Sequence, residues 1–481
     1  MNTRLNDYAA ISPLLILLAA ALIILLIESF ATKSSKKNYL AVTLIPMTLA
    51  LWAAFYTKPS EDVLLTPWLK FDPLAHFFTI FFLIIGLGST LLATSCLRNF
   101  ATTSGEYFFL LISALIGLIL IGAAADFLTL FLGLETLSIS LYILCGYMKK
   151  WEFSHEAAIK YFLIGSMATA VLLYGVALIY GAVGTTNLDG LLVAYQKLSN
   201  SADRTLFLSG IALVTVGLAF KAAIVPFHVW APDVYDGAPT PVAAFMAVGT
   251  KVGAFAAFIR IFFVALPQFN PLWNQGIALL AYPTLIYANI VALQQRQLRR
   301  FFAYSGISQA GFLLIPLVAG TAEALSALLF YLVIYALATL GAFAVLAFLD
   351  QRREGVMLHD LKGLFYRSPL LAAILALCLL TLAGIPPTAG FFAKFFVFKV
   401  AFQAHYYGLV LVGLLTTILS AFYYLRIVAV MFSELPTEVS VPQRFWSATL
   451  VGVFSVATIV MLSFYAEPLM SILAKIEVLG T

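Results

Sequence analysis

The sequence predicts an all-α, polytopic membrane protein of about fourteen transmembrane helices, with two inverted five-helix repeats and discontinuous helices inside them. Three observations carry that expectation. Hydrophobic residues make up 63% of the 481 and charged residues only 10%, against roughly 45–50% and about 25% in soluble domains. The apolar residues fall into runs of about 20, the length a helix needs to cross a bilayer. The charges gather in short loops between those runs. Water alone cannot solvate so much apolar surface, so the lipid bilayer is part of the solvent. The net charge of +5 is spread through loops instead of lying on one face, which leaves no footprint for a nucleic acid.

The first apolar run, 9–28, is preceded by Arg4 and is not closely followed by a small-residue cleavage site. It is therefore kept as a span and not as a removed signal peptide. Runs at 39–57 and 74–96 complete an N-terminal three-helix segment, 1–106. A first block, 107–266, holds spans at 107–124, 126–147, 157–181, 205–230 and 239–266. A second block, 267–431, holds spans at 275–293, 301–319, 324–349, 369–400 and 406–431. A last span at 446–466 and a tail fill 432–481. Each block has five spans, an odd number, so the second block must sit inverted relative to the first. The fourth span of each block is interrupted by proline: Pro226 in one, Pro386 and Pro387 in the other. Matching interruptions in inverted repeats point to a transport site. Between 181 and 204, Leu188, Leu191, Leu192, Tyr195 and Leu198 share one helical face. An interfacial helix and a loop folded against the bundle explain that spacing equally well.

Loop charge predicts orientation. Lys33, Lys36, Lys37, Arg98, Lys149, Lys150, Arg296, Arg299, Arg300, Arg352, Arg353, Lys362, Arg367 and Arg444 follow odd-numbered spans. The opposite side has only Arg4, Lys58, Lys70, Lys197, Arg204 and Lys475. That bias places both termini on the non-cytoplasmic side.

Ionisable residues deep inside spans are expensive and are functional candidates by default. Glu135 lies mid-span in FLGLETLSISLYILCGY, with a side chain too short to reach either interface. Lys221 sits five residues before Pro226, where the proline frees a backbone carbonyl that can solvate an amine. His228 follows; taken alone it is better explained by a local hydrogen bond, and beside Lys221 the functional and structural readings balance. Lys251 is central in its span, and Lys394 lies seven residues after Pro387. Lys160 is near the start of its span, so snorkelling to the interface accounts for it as readily as function does. Lys399 reads as a snorkelling residue, Arg260 and Arg426 as interface anchors, and Asp126 as a helix cap.

One acid among several lysines is a poor inventory for a metal-cation site, which wants clustered carboxylates and carbonyls. It suits proton handling. Burial disfavours a charged lysine and a nearby carboxylate favours it, so changing an acid–lysine distance would switch the amine between uptake and release. Three cysteines, Cys96, Cys145 and Cys378, lie in or beside apolar runs and read as packing residues. His76, His155, His228, His359 and His405 show no haem or zinc spacing. No redox centre is expected on this chain.

The segments just quoted carry a family resemblance. The Glu135 segment, the stretch from Lys221 through PFHVWAPDVYDGAPTPVAAF, GTKVGAF around Lys251, and GIPPTAGFFAKF before and through Lys394 resemble the antiporter-like subunits of respiratory complex I. That family is shared with multisubunit cation/proton antiporters. A lysine at 394 and a chain ending soon after the last span point to the subunit N branch. The resemblance implies that Glu135 and Lys221 form a modulating ion pair, that Lys251 is a central relay and that Lys394 links to a second half-channel. Lys160 and His228 would fill out the inner path. One departure stands out: nothing in the tenth span matches Glu135.

The resemblance further implies a proton-translocating subunit of a bacterial cytoplasmic-membrane NADH–quinone oxidoreductase. NADH, flavin, iron–sulfur clusters and quinone would then belong to partner subunits. Those partners would include the antiporter-like subunit M, small membrane subunits and, through them, the redox arm. A sodium/proton antiporter subunit, a membrane-bound hydrogenase subunit and a structural scaffold with relic charges are the competing readings.

Overall fold

A computed structural model describes residues 2–30, 39–57, 65, 67–99, 105–267, 270–350, 355–433 and 446–476. The N-terminal segment is α1 (Asn2–Ser29), α2 (Tyr39–Tyr56) and α3 (Pro73–Asn99). The first block is α4 (Gly105–Gly122), α5 (Phe127–Cys145), α6 (Glu152–Val183), a broken α7 (α7a, Ser201–Lys221; α7b, Trp230–Gly237) and α8 (Thr240–Ala265). The second block is α9 (Asn270–Ala292), α10 (Leu298–Ala319), α11 (Ala322–Leu349), a broken α12 (α12a, Pro369–Ala383; α12b, Ala389–Gln403) and α13 (Tyr407–Met431). The last span is α14 (Trp446–Phe464). Thirteen of the described helices are long and apolar enough to cross a membrane; α12, built from two shorter helices, supplies the fourteenth crossing. Among the described residues, β-pairing is limited to isolated bridges.

The two blocks repeat one packing plan. The most extensive contacts in the first, α4 with α5 and α6 with α7a, recur in the second as α9 with α10 and α11 with α12. At the centre, α8 and α10 are buried on every side and α11 nearly so. The outer helices leave large apolar side chains uncovered, among them Leu22, Trp52, Phe162, Leu415 and Phe454. Apolar outside as well as inside is the pattern of helices solvated by lipid.

Both predicted interruptions are present. Helix α7a stops at Lys221, and Ala223 takes φ 57, a left-handed conformation that costs a non-glycine residue about 1–2 kcal/mol. The break leaves backbone groups to be satisfied by other means. Trp230 Nε1 donates to the Phe220 carbonyl at 2.9 Å, and the Val225 N–H donates to Thr284 Oγ1 of α9 at 3.1 Å. In α12 the chain turns at Gly384, φ 79, which glycine adopts without strain. A Cβ there would also lie 2.8 Å from Lys394 Cδ, so the glycine makes room for the lysine. Helix α8 carries two π-helical stretches, Met246–Thr250 and Arg260–Ala265, on either side of Lys251–Ile259. Such stretches are frequent at functional sites.

Several expectations about single residues are settled here. Asp126 does cap α5, its carboxylate accepting from the Leu128 N–H at 2.7 Å. The 188–198 stretch contains a short helix, Leu191–Gln196, with Leu188 and Leu191 buried against the bundle. Cys145 and Cys378 are buried, free thiols; the side chain of Cys96 lies outside the described residues, as do those of Arg4, Lys33, Lys36, Lys37, Lys58, Arg98, Arg352, Arg353 and Arg444. Lys399 is half-exposed beside Glu323, and Arg426 reaches the Leu293 carbonyl at an exposed site. Two cations need correction. Arg260 is not an interface anchor: it is 0% exposed, ion-paired to Asp72 and donating to the Gly122 carbonyl at 2.9 and 2.7 Å. Arg299 is not a loop charge at the surface: it is buried and donates to the Ala238 carbonyl at 2.7 Å. Both begin or end helices that lie at the centre of the bundle, where a helix end is still inside protein.

Candidate functional site

Lys221 is the last residue of α7a, and the break after it turns its amine toward α5. The side chain is 5% exposed; Nζ donates to Ser138 Oγ at 2.6 Å and lies 3.9 Å from Glu135 Oε1. Glu135 and Ser138 are three residues apart on α5, so they share a face. The carboxylate also accepts from Thr169 Oγ1 of α6 at 2.8 Å. At 3.9 Å two unit charges attract by about 4 kcal/mol at an effective dielectric near 20. The contact is longer than a hydrogen bond, so it has slack. The serine holds the amine whether or not the carboxylate stays.

Lys251, 1% exposed, stands at the start of the regular stretch between the two π segments of α8. Its amine faces Gly306 of α10: a Cβ at Gly306 would lie 3.1 Å from Lys251 Nζ and 3.2 Å from the Tyr335 hydroxyl of α11. Tyr335 donates to the Ala247 carbonyl at 2.7 Å, inside the first π stretch. Among the described residues no carboxylate pairs with Lys251.

Lys394, on α12b, is also buried. Nζ donates to the Ala383 carbonyl at 3.0 Å, at the broken end of α12a, and lies 4.4 Å from the centroid of the Phe312 ring of α10. Carbonyl and aromatic face replace the carboxylate of the first block; such a cation–π contact contributes up to about 2 kcal/mol when desolvated.

The remaining two candidates sit apart from these three. His228, in the break of α7, is buried with its ring against Tyr287 of α9, centroids 4.8 Å apart. Lys160 is 43% exposed and pairs with Glu156 at 2.7 Å and Asp233 at 3.1 Å. It lines a cavity of about 350 Å³ with Glu156, Asp233, Asp236, Arg299 and Arg300. Arg300 reaches Asp233 at 3.2 Å and Asp236 at 3.5 Å. A hydrated cluster of both signs at a cavity mouth can exchange protons with water, whereas Lys221, Lys251 and Lys394 cannot do so directly. Among the described residues no group of His, Cys, Asp and Glu is placed to hold a metal ion.

The sequence reading, confined to ionisable residues, missed Ser138, Thr169, Gly306, Phe312 and Tyr335. The only local signal was the three-residue spacing of Glu135 and Ser138.

Comparison with known proteins decides the family. Residues 124–420 match the family described as NADH:quinone oxidoreductase/Mrp antiporter, TM. The chain belongs to this family. All six candidate residues fall inside the matched stretch. The chain is similar to the NADH-quinone oxidoreductase subunit N of Protochlamydia amoebophila, 63% identical over 98% of each chain. A chain of respiratory complex I from Thermus thermophilus with bound aureothin superposes with a TM-score of 0.81 at 33% identity, covering 95% of this chain and 98% of that one. A chain of the Mrp complex from Dietzia sp. gives a TM-score of 0.84 over 98% and 97%, but at 20% identity it shares the fold alone.

Proposed function

We propose that this chain is the N-type, proton-translocating membrane subunit of an NADH–quinone oxidoreductase of a bacterial cytoplasmic membrane. Electron transfer in partner subunits drives it. The buried, slack contact between Glu135 and Lys221, with Ser138 holding the same amine, carries the proposal. Identity of 63% to a subunit N supports that branch over the antiporter, where only the fold is shared.

In this mechanism a charge displacement arriving from the partner subunits draws Glu135 away from Lys221. Doubling a separation of 3.9 Å halves the attraction, a loss of about 2 kcal/mol at an effective dielectric near 20. That equals about a 30-fold shift in proton occupancy. Moving one charge through about 100 mV takes roughly 2.3 kcal/mol, so the two magnitudes match. Lys221 then releases its proton toward Lys251, and Lys251 toward Lys394. Lys160, with the acids around it, exchanges protons with water at the cavity, and His228 serves the inner path.

NADH, flavin, iron–sulfur clusters and quinone reside on the partners, which include the subunit M neighbour and small membrane subunits. Both termini face the non-cytoplasmic side. The working units are 1–106, the repeats 107–266 and 267–431, and 432–481.

The test is Lys251→Met in the assembled complex, reconstituted in liposomes. Proton uptake per NADH oxidised is expected to collapse while the complex still assembles. Unchanged uptake in an assembled Lys251→Met complex would refute the proposal.

A further inference from the structure

The axis of charged residues has a gap. Among the described residues, no carboxylate of the kind that flanks Lys221 pairs with Lys251 or Lys394. Helix α10 fills that interval with neutral groups on one face: Ser305, Gln309 and Phe312, at spacings of four and three residues. Ser305 adjoins Gly306, the position facing Lys251 Nζ. Phe312 is the ring over which Lys394 Nζ sits. The stripe therefore starts one residue from the position facing Lys251 and ends under Lys394.

Between its ends is a set of buried hydrogen bonds. Ser305 Oγ and the Tyr424 hydroxyl of α13 are 2.5 Å apart. Gln309 Nε2 donates to Tyr424 at 3.2 Å and to the Leu382 carbonyl at 3.1 Å, and Gln309 Oε1 accepts from Tyr331 at 2.5 Å. Leu382 is next to Ala383, whose carbonyl holds Lys394. A carbonyl cannot donate, so the Leu382 oxygen fixes which end of the Gln309 amide faces it. The second amide hydrogen then goes to Tyr424. The Tyr423 hydroxyl also bonds Tyr424, and the Ser305–Tyr424 contact joins two hydroxyls, either of which can donate. A hydroxyl pair whose bond can reverse is what a proton relay requires.

We propose that Ser305 and Tyr424 carry the proton between Lys251 and Lys394. The proposal rests on the functional reading above. The Lys251 ammonium gives a proton, through a water molecule, to Ser305 Oγ. In concert the Ser305 hydrogen passes to the Tyr424 oxygen, and the Tyr424 hydrogen leaves through a second water to the Lys394 amine. One N–H bond breaks at Lys251 and one forms at Lys394. Each hydroxyl ends with one hydrogen, and rotation of both resets the pair. The second block thus works without a counterpart of Glu135.

The structure offers a matched control. Ser420 lies one turn before Tyr424 on α13 and is fully buried, but its hydroxyl donates to the Thr417 carbonyl of its own helix at 2.7 Å. The experiment compares Tyr424→Phe, Ser420→Ala and Lys251→Met in the complex in liposomes, measuring proton uptake per NADH oxidised. Tyr424→Phe is expected to lose uptake as deeply as Lys251→Met, and Ser420→Ala to keep it. Ser305→Ala is expected to match Tyr424→Phe, and it decides the matter if Tyr424→Phe fails to assemble. Normal uptake in Tyr424→Phe or Ser305→Ala alongside a dead Lys251→Met overturns the relay alone. Equal loss in Ser420→Ala and Tyr424→Phe also overturns it, since packing would then explain both. Normal uptake in Lys251→Met overturns the functional reading itself.

Discussion

Two ion pairs that each bury a cation inside the bundle differ in build. Arg260 is gripped by Asp72 through both of its terminal nitrogens and also donates twice to the Gly122 carbonyl. Lys221 touches Glu135 at 3.9 Å and rests on a serine instead. The first pair ties the start of α3, the end of α4 and the end of α8 together through four directed hydrogen bonds. In the second the carboxylate is held by Thr169 and not by the amine, so it can shift without stranding the amine on its serine. A planar guanidinium suits the first task and a rotatable ammonium the second. Burial of a charge marks a place where something is held; looseness of the holding marks a place where something can be switched.

Glu135→Gln probes the loose pair and should give the larger effect. It removes the charge while keeping the Thr169 contact possible. Even half of the roughly 4 kcal/mol attraction corresponds to about a 30-fold change in proton occupancy at Lys221. Proton uptake per NADH should fall by about tenfold or more, with assembly and thermal stability near normal. A Glu135→Gln complex that pumps normally but melts early would reverse the roles assigned to the two pairs.

Asp72→Asn probes the tight pair. Removing one partner of a buried pair costs about 3–5 kcal/mol; Asp72 is partly exposed, so the expected loss lies near the lower end, about 3 kcal/mol. Burial raises the Asp72 carboxyl, but Arg260 more than offsets this and holds it below the usual carboxylate range. Its contribution is therefore complete above the ordinary aspartate value of about 4 and is lost as pH falls through the lower folded value. Thermal unfolding of the detergent-purified complex between neutral and acid pH reads this out. The substitution should lower the midpoint at neutral pH and flatten the acid limb, with pumping per intact complex unchanged. A pumping defect without a stability defect would erase the distinction.

The sequence made the fold legible because its determinants are local. A run of about 20 apolar residues is visible without knowing its neighbours, and so are Pro226, Pro386 and Pro387, each at an observed break. Lys221, Lys251 and Lys394 were legible for the same reason: distance along the chain from both ends of a run measures depth. That measure failed for Arg260, since nearness to the end of a helix implies exposure only when the helix is peripheral, and α8 is central. It also says nothing of partners. Ser138, Tyr335, Gln309 and Tyr424 are neutral residues of kinds common in spans, and their roles arise from contacts between helices far apart in sequence.

Lys160 gives the smallest effect and the sharpest limit on the comparison. It has two acidic partners, more than Lys221 has, yet it is 43% exposed. Exposed pairs contribute about 0.2–1 kcal/mol and weaken with salt. Glu156, Asp233, Asp236 and Arg300 remain around the cavity when it is removed, so water there can still exchange protons. Lys160→Ala should therefore lower proton uptake per NADH by no more than about twofold to threefold. The deficit should be largest at low ionic strength and shrink as salt is added. A loss as deep as that of Glu135→Gln, insensitive to salt, would mean that Lys160 is an obligatory step and that slack, buried geometry is not what distinguishes a working charge in this bundle.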